Sequence, residues 1–427
     1  MATVRPLSGQ RYSTAAGPLE DLVAPPYDVI SAAERQEFAA QSANNTVWLT
    51  LPEHSPDDRS KFVKYARSAS RLTEWRREGI LQVDEIPCLY RYRQTFTNPV
   101  DGELLIRESL ICLIKVEPYE RGVVLPHEQT FPKHKEDRLR LLEATGAHLE
   151  CIYGLYEDAG HAVGLAIHGA PFGVIATVQT EDGIAHELAK CDSEAETAAI
   201  CRSFDNEQIW IADGHHRYET AVTFRQSLRD KPGNIAEDFM LIALSSMSDP
   251  GLLLLPTHRI VKNFQTPLGQ VESKLQTRFK TRTIPNVEIP DELRRLHNND
   301  CRVFGMAMPG GSGFIMAMEE PRDALTIVEG PSSDLLKMLD VTILHEIIFK
   351  GVFGIEGIEQ IDYTRSSQEA VERVAMSSGE VAFLMNPPSV EDMRRIALGG
   401  EKMPQKSTFY YPKLLSGLVF WSHSDFK

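Results

Sequence analysis

A short apolar run with β-branched and aromatic members, Gln208-Ile209-Trp210-Ile211-Ala212, stops at Asp213-Gly214, and beyond it Tyr218, Ala221, Val222 and Leu228 recur at helical spacing. The pattern predicts a strand, a tight turn and a helix. Asp213, Gly214, His215, His216 and Arg217 stand between the two elements, so the N–H groups of a helix start would face an acid, two histidines and an arginine. Such a terminus suits phosphate. Asp-Gly ahead of a helix is also an ordinary turn and cap, and an arginine in a first turn often only solvates a surface. Two adjacent histidines with Arg217 directly behind an apolar strand nevertheless make a poor core, and convergent titratable groups mark sites.

The 427 residues suffice for two or more domains with sizeable cores. A formal net charge of −15 argues against a general nucleic-acid or membrane-surface binder, which gathers Lys and Arg to neutralise phosphate. No stretch approaches ~18 unbroken apolar residues; the run Gly251-Leu252-Leu253-Leu254-Leu255 stops at Pro256. Cys88, Cys112, Cys151, Cys191, Cys201 and Cys301 are scattered without a C-x-x-C pair and read as reduced, buried thiols of a cytoplasmic protein.

The elements alternate without a repeating unit, which predicts an α+β (mixed α/β) chain in three regions, 1–120, 121–265 and 266–427. Pro25 and Pro26 bar a helix interior, and Tyr27 and Asp28 behind them form either a rigid corner or a pocket wall. Ser31 with Glu34 predicts a capping box opening a helix from Ala32 to Gln41. Val47 to Leu51 reads as a strand, and Asp57 to Glu78 as a long amphipathic helix ending at Gly79. Cys88 to Thr97 and Leu104 to Val116 flank a hairpin turn at Asn98-Pro99-Val100-Asp101-Gly102. Strands are expected at Ile152 to Leu155, Gly173 to Val178, Phe239 to Ser245 and Leu252 to Leu255, and helices at Lys135 to Ala144 and Asp192 to Phe204. The organising helix is expected to end near Asp230, with a turn at Pro232-Gly233-Asn234. Further on, Pro309-Gly310-Gly311-Ser312-Gly313 reads as a hairpin turn, since no helix start follows it.

Polar groups crowd at three more places. In Pro126-His127-Glu128-Gln129-Thr130 the second histidine of H-E-x-x-H is absent and Pro132 breaks the helix that motif needs, so zinc protease chemistry is excluded. Glu128 is then available as a base, and Lys133, Lys135 and Arg138 suit a phosphate, unless the stretch is only a solvated loop entering a helix. His258 and Arg259 in Pro256-Thr257-His258-Arg259 stand at an expected strand end and are candidate substrate contacts or core residues. Lys406, Ser407, Thr408 and Lys413 lie in a tail without periodicity that reads as a loop closing on an anion.

Ala-Asp-Gly-His-His-Arg-Tyr at 212–218 resembles the hallmark of domain-of-unknown-function family 1015. Agreeing with it are Ala24-Pro25-Pro26-Tyr27-Asp28-Val29-Ile30, Pro126-His127-Glu128-Gln129-Thr130, Lys135-Glu136-Asp137-Arg138-Leu139, Pro256-Thr257-His258-Arg259 and Met403-Pro404-Gln405-Lys406-Ser407-Thr408 through Tyr411-Pro412-Lys413. The core motif is also similar to the Gly-x-His-Arg phosphate loop of the ParB and sulfiredoxin superfamily, which includes kinases of free serine. That second resemblance spans about ten residues. It implies a ParB/sulfiredoxin-like nucleotide-binding core with additional α+β regions. In such a core Gly214, His215, His216 and Arg217 cradle phosphate, and Asp213 holds the metal or neighbours the transferred group. The sulfiredoxin branch has a cysteine where this chain has His215, which sets a reductase aside.

The leading expectation is phosphoryl transfer from ATP or ADP, with Mg²⁺, to the hydroxyl of a small metabolite, free serine first. Glu128, Asp213 and His216 then carry the chemistry. Gly214, His215, His216, Arg217, Lys135 and Arg138 bind the nucleotide phosphates, and His258, Arg259, Lys406 and Ser407 bind the substrate. No Walker loop or protein-kinase signature is present. Two rivals remain: a nucleotide switch in which the loop holds CTP or ATP to close a homodimer, and a metal-dependent hydrolase using Asp213, His215 and His216. Adjacent histidines on a helix point about 100° apart, which disfavours the hydrolase.

Overall fold

The computed structural model describes the chain except Phe131, Arg229, Asp230, Pro232, 298–300, Ile358, Ser378 and Gln405, and the side chains of Pro132, Lys133 and His134. The phosphate contact expected of Lys133 and the turn residue Pro232 lie outside the described residues. Two compact units form. The first joins Met1–Pro126, Thr130–Leu253 and Pro412–Lys427; the second joins His127–Gln129 and Leu254–Tyr411. The expected limit at residue 120 falls within the first unit.

In the first unit, apolar alternation and buried runs produce a mixed sheet. Its strand order is Val124–Leu125, Ile209–Asp213, Ile152–Tyr156, Phe239–Ser246, Leu104–Lys115, Leu89–Thr97, Ala185–Cys191, Gly173–Gln179, and Val4–Arg5 also pairs with Leu104–Lys115. The expected hairpin is present, with Tyr90 facing Ile111 and Thr97 facing Leu104 in antiparallel register. Phe239–Ser246 lies parallel to Ile152–Tyr156 and antiparallel to Leu104–Lys115. Ile152, Ile209, Ile211, Ile242 and Leu244 form a fully buried layer with Tyr218 and Ala221 of the helix His215–Ser227. Each such aliphatic side chain contributes about 1.5–3 kcal/mol by leaving water.

The helix Ala32–Gln41 has its capping box: Glu34 N–H donates to Ser31 Oγ at 3.2 Å and Ser31 N–H to Glu34 Oε2 at 2.7 Å. Val47–Thr50 is one helical turn rather than the expected strand. Asn45 is the reason: its Oδ1 accepts from Val47 N–H and its Nδ2 donates to Asp21 O, which starts a turn where a strand would need extended backbone. The long helix begins at Val63, six residues after Asp57, because Asp58 is committed to a turn by Ser55 N–H and to an ion pair with Arg67.

The second unit has a six-stranded antiparallel sheet ordered Lys280–Pro285, Ser312–Met318, Arg302–Ala307, Val381–Met385, His258–Val261, Ile361–Thr364. The helices Ile289–Leu296 and Ser367–Met376 bury Ile289, Leu293, Ala370 and Val374 against Ile260, Ala382 and Leu384. The π-helical segment Ile343–Phe353 packs through Phe349 on Phe383, ring centroids 4.9 Å apart. The chain is thus mixed α+β. All six cysteines are free thiols, and no helix of the described residues is long and apolar enough to cross a membrane.

Candidate active site at the Asp213–Arg217 loop

The strand that delivers the loop is irregular at its last residues. Trp210 faces Leu155 and Ile211 faces Gly154, after which the register shifts so that Asp213 stands opposite Tyr153. An extra residue in one strand bends it and re-aims the side chains beyond, here Asp213. Close packing under the bulge depends on Gly154, since a Cβ there would meet Ile242 at 2.8 Å and Ile209 at 2.9 Å. Gly214 then turns the chain with φ +90°, and a Cβ on it would lie 2.7 Å from Ile152 Cγ2, so this turn accepts only glycine. The helix His215–Ser227 starts without a side-chain cap. Tyr218 anchors its first turn: the hydroxyl donates to Glu117 O at 2.7 Å and accepts from Glu117 N–H at 3.0 Å, and the ring stacks on Tyr119.

Two cations meet at one carboxylate oxygen. Arg217 Nη2 lies 3.6 Å, and Lys413 Nζ 3.5 Å, from Asp213 Oδ2, with all three side chains at most one-fifth exposed. Burial alone would raise the Asp213 carboxyl, but the charges of Lys413 and Arg217 and hydrogen bonds from Lys413 and the Gly214 N–H outweigh it and hold the group below the usual carboxylate range. Arg217 Nη1 donates to Cys151 O at 2.6 Å, while its buried Nε has no hydrogen-bond acceptor. Burial works against this guanidinium, yet Glu150, Asp213, Asp28 and Tyr27 more than compensate and fix its charge. The Tyr27 ring sits between two guanidiniums, 5.8 Å from Arg217 and 4.1 Å from Arg138. Its N–H donates to Glu150 Oε1, which also accepts from Ser416 Oγ at 2.8 Å. Tyr27 and Asp28 thus border the cluster.

The structure brings Asp213, Gly214, Arg217 and Arg138 together in the first unit. Arg138 is 7% exposed and already engaged, donating to Asp137 and Thr50 O, and Lys135 Nζ is 2.9 Å from Glu219 Oε2. Both expected phosphate contacts therefore already carry carboxylate partners, and the bonds of Arg138 to Thr50 O and of Lys135 to Glu219 tie the helix Pro132–Thr145 to its neighbours. His215 is buried and His216 half-buried in the first turn. Glu128, His258, Arg259, Lys406 and Ser407 belong to the second unit. There Glu128 forms a parallel bridge with Met403, and His127 shares a 2.9 Å hydrogen bond with Thr408. His258 and Arg259, 3% and 1% exposed, open the strand His258–Val261 rather than closing the strand expected at Leu252 to Leu255. Ser407 Oγ donates to Pro404 O.

Among the described residues, no three His, Cys, Asp or Glu side chains gather as a metal set. Asp213, His215 and His216 therefore do not form the ligand set a hydrolase would need. Asp213, the expected Mg²⁺ ligand, is a single carboxylate already paired with Arg217 and Lys413, so a Mg²⁺ ion would need substrate phosphates to complete its shell. The residues present do not make a Mg²⁺ site on their own.

Lys413 stands in the tail expected to close on an anion, with no role expected at the Asp213 loop, which is where it lies. Three residues of the hairpin hold it there. Arg107 donates to Pro412 O, Gln94 Nε2 donates to Lys413 O at 2.9 Å, and the Leu415 N–H donates to Tyr92 Oη. Its signals in the sequence are the family-like stretch Tyr411-Pro412-Lys413, where proline stiffens the approach, and its place in the tail read as closing on an anion.

The family described as protein of unknown function (DUF1015) matches residues 4–342. No curated protein matches the chain. Among solved structures, a free serine kinase in complex with AMP is similar at 15% identity and TM-score 0.33, covering 70% of this chain and 86% of that one. A conserved hypothetical protein from Pyrococcus furiosus is similar at 13% identity and TM-score 0.35, covering 74% and 97%. A C-terminally truncated SbnI from Staphylococcus aureus is similar at 11% identity and TM-score 0.35, covering 72% and 85%.

Proposed function

The chain belongs to the DUF1015 family of proteins of unknown function, and from the chemistry of its loop we propose nucleotide-dependent phosphoryl transfer to the hydroxyl of a small metabolite, free serine being the first candidate. The observation that carries the reading is Asp213 at a helix start, bracketed by the buried cations Arg217 and Lys413. Phosphoryl transfer asks little covalent chemistry of a protein; it asks for fixed positive charge where charge develops and an acceptor for the hydroxyl proton. Arg217 and Lys413 supply the first, and Asp213, kept ionised by them, supplies the second. The resemblance of Gly214-His215-His216-Arg217 to the serine-kinase loop supports ATP or ADP as donor. Glu128 is the other candidate for that acceptor: if it is the base, Glu128→Gln keeps nucleotide affinity and loses about 10²–10⁴-fold in turnover, and if Asp213 is, turnover is unchanged.

The test is ³¹P NMR of the full chain incubated with ATP or ADP, Mg²⁺ and a panel of hydroxylated amino acids, sugars and polyols, run beside a thermal-shift titration of the nucleotides. A phosphomonoester signal with at least one acceptor is expected. Lys413→Met should weaken the nucleotide at least tenfold, because a charge-assisted contact is worth about 1.5–3 kcal/mol. Nucleotide stabilisation without product from any acceptor would leave a nucleotide switch in place of the kinase. Unchanged affinity in Lys413→Met would remove the cation pair from the proposal.

A further inference from the structure

Between the strands Ala147–His148 and Ile152–Tyr156 the chain passes through Leu149, Glu150 and Cys151, which pair with no neighbouring strand. This unpaired stretch nonetheless sets the position of a loop cation, because Cys151 O accepts from Arg217 Nη1 at 2.6 Å. A direct charge-assisted bond would draw Arg217 to about 2.7–2.9 Å from a carboxylate oxygen. Its Nη2 instead stands 3.6 Å from Asp213 Oδ2. The shorter contact wins, so the Cys151 carbonyl decides where the guanidinium rests. What fixes the carbonyl in turn is the side chain of Glu150. It is 7% exposed, and its Oε1 accepts from Tyr27 N–H at 3.0 Å and from Ser416 Oγ at 2.8 Å. Tyr27 follows the stiff Pro25-Pro26 corner, and its ring lies 5.8 Å from the Arg217 guanidinium. Ser416 lies three residues beyond Lys413, in a segment bonded to Ala24 at 2.8 Å through the Ser416 N–H and at 3.2 Å through its carbonyl. One carboxylate oxygen therefore ties together the stretch that holds Arg217, the corner beside it and the segment that bears Lys413, all within the first unit.

Glu150 has no cation within ion-pair distance among the described residues; both of its bonded partners are neutral donors. Burying a carboxylate without a paired charge is costly, so packing alone does not account for an acid here. Arg217 feels that acid, since Glu150 is the first of the charges that hold its guanidinium protonated against burial. We propose that Glu150 is a positioning residue of the Asp213 loop, which sets where Arg217 and Lys413 stand by bonding to Tyr27 and Ser416. Its consequence for catalysis rests on the phosphoryl-transfer reading, while the geometry it sets is measurable without turnover. Gln in place of Glu150 keeps an acceptor oxygen for both donors, whereas Ala removes it. Without that tie the segment bearing Lys413 loses its bond to the stretch that holds Arg217, and the two cations no longer stand at fixed distances from Asp213.

The experiment follows acetylation of lysine amines in the full chain by mass spectrometry, comparing Lys413 with Lys64, a similarly covered amine of the same unit that is paired with Asp137. In Glu150→Ala the Lys413 rate should rise about tenfold or more, the equivalent of losing a bond to a charged group, with Lys64 unchanged. Glu150→Gln should restore most of the protection. Ser416→Ala, which removes one of the two donors, should raise the Lys413 rate by less, and it supplies the comparison should Glu150→Ala fail to fold. Thermal-shift titrations with ATP on the same proteins should show affinity lost in Glu150→Ala and largely restored in Glu150→Gln. Equal acceleration of Lys413 and Lys64 would mean a general loosening of the unit and overturn the proposal. So would an unchanged Lys413 rate or wild-type ATP affinity in Glu150→Ala, or a Gln variant as unprotected as the Ala variant. If wild type itself fails to bind ATP, the phosphoryl-transfer reading falls, and the acetylation rates still decide whether Glu150 positions the loop.

Discussion

Arg217→Ala is expected to lower the unfolding free energy of the first unit by about 3–5 kcal/mol, the usual cost of removing one partner from a buried ion pair. Arg217 faces Asp213 at 3.6 Å and, with Asp28 and Tyr27, shares the field of Glu150, itself 7% exposed. Without the guanidinium these carboxylates lose a buried counter-charge, and Cys151 O loses its 2.6 Å donor. Urea unfolding of the single variant, Asp213→Asn and the double variant measures the coupling directly. Because Asp213→Asn removes one of the charges Arg217 compensates, the double variant should be less destabilised than the two single losses added together. Strict additivity would mean that Arg217 and Asp213 do not act as a pair. Functional losses in Arg217→Ala then need correction for folding, so Arg217→Lys, which keeps a cation, is the better probe of nucleotide binding.

A second large effect is expected in acid. Burial holds His186 and His423 down to about 4 in the first unit, and His345 to about 4 and His258 to about 3 in the second. An unfolded histidine titrates near 6.5. Between that value and the depressed folded values the unfolded chain binds more protons, so stability is present above pH ~6.5 and is lost as pH falls toward the folded values. Each group contributes at most about 1.4 kcal/mol per pH unit, hence on the order of 2–3 kcal/mol per unit of pH in the first unit; in the second, Asp340, which burial raises to about 7, binds its proton first in the folded chain and cancels one histidine, leaving about 1.4 kcal/mol per unit. With total stabilities of about 5–15 kcal/mol, unfolding should set in near pH 5 or somewhat below. Asp84, Asp213 and Asp238 have lowered values and act only below the usual carboxylate range. Urea midpoints measured at pH 7, 6 and 5 should therefore fall steadily. A midpoint constant from pH 7 to pH 5 would show that these histidines are not held neutral by burial.

Legibility in the sequence followed locality. The capping box at Ser31, the hairpin between Leu89–Thr97 and Leu104–Lys115, and the strand, turn and helix around Asp213 are written in residues close together in the chain. Five residues at Val47 were too few for periodicity to separate strand from helical turn, and the deciding group, the Asn45 side chain, acts through Asp21, far away in sequence. The bulge before Asp213 is equally silent, because it exists only in the register with Ile152–Tyr156. Lys413 reaches Asp213 across two hundred residues of sequence by way of Arg107 and Gln94, and no local pattern encodes that reach.

The first unit is discontinuous: Pro412–Lys427 returns to it after the whole of Leu254–Tyr411. That last segment brings Phe420 and Trp421, both fully buried, and pairs Trp421 with His148. On the ribosome the residues up to Leu253 emerge first but lack part of their core and the lysine of their loop until 158 further residues have been made. The second unit has nearly all of its chain before then, so it can close while the first is still open. For the time that separation takes, the face awaiting Phe420 and Trp421 is bare, and apolar surface exposed in this way favours aggregation of the nascent chain.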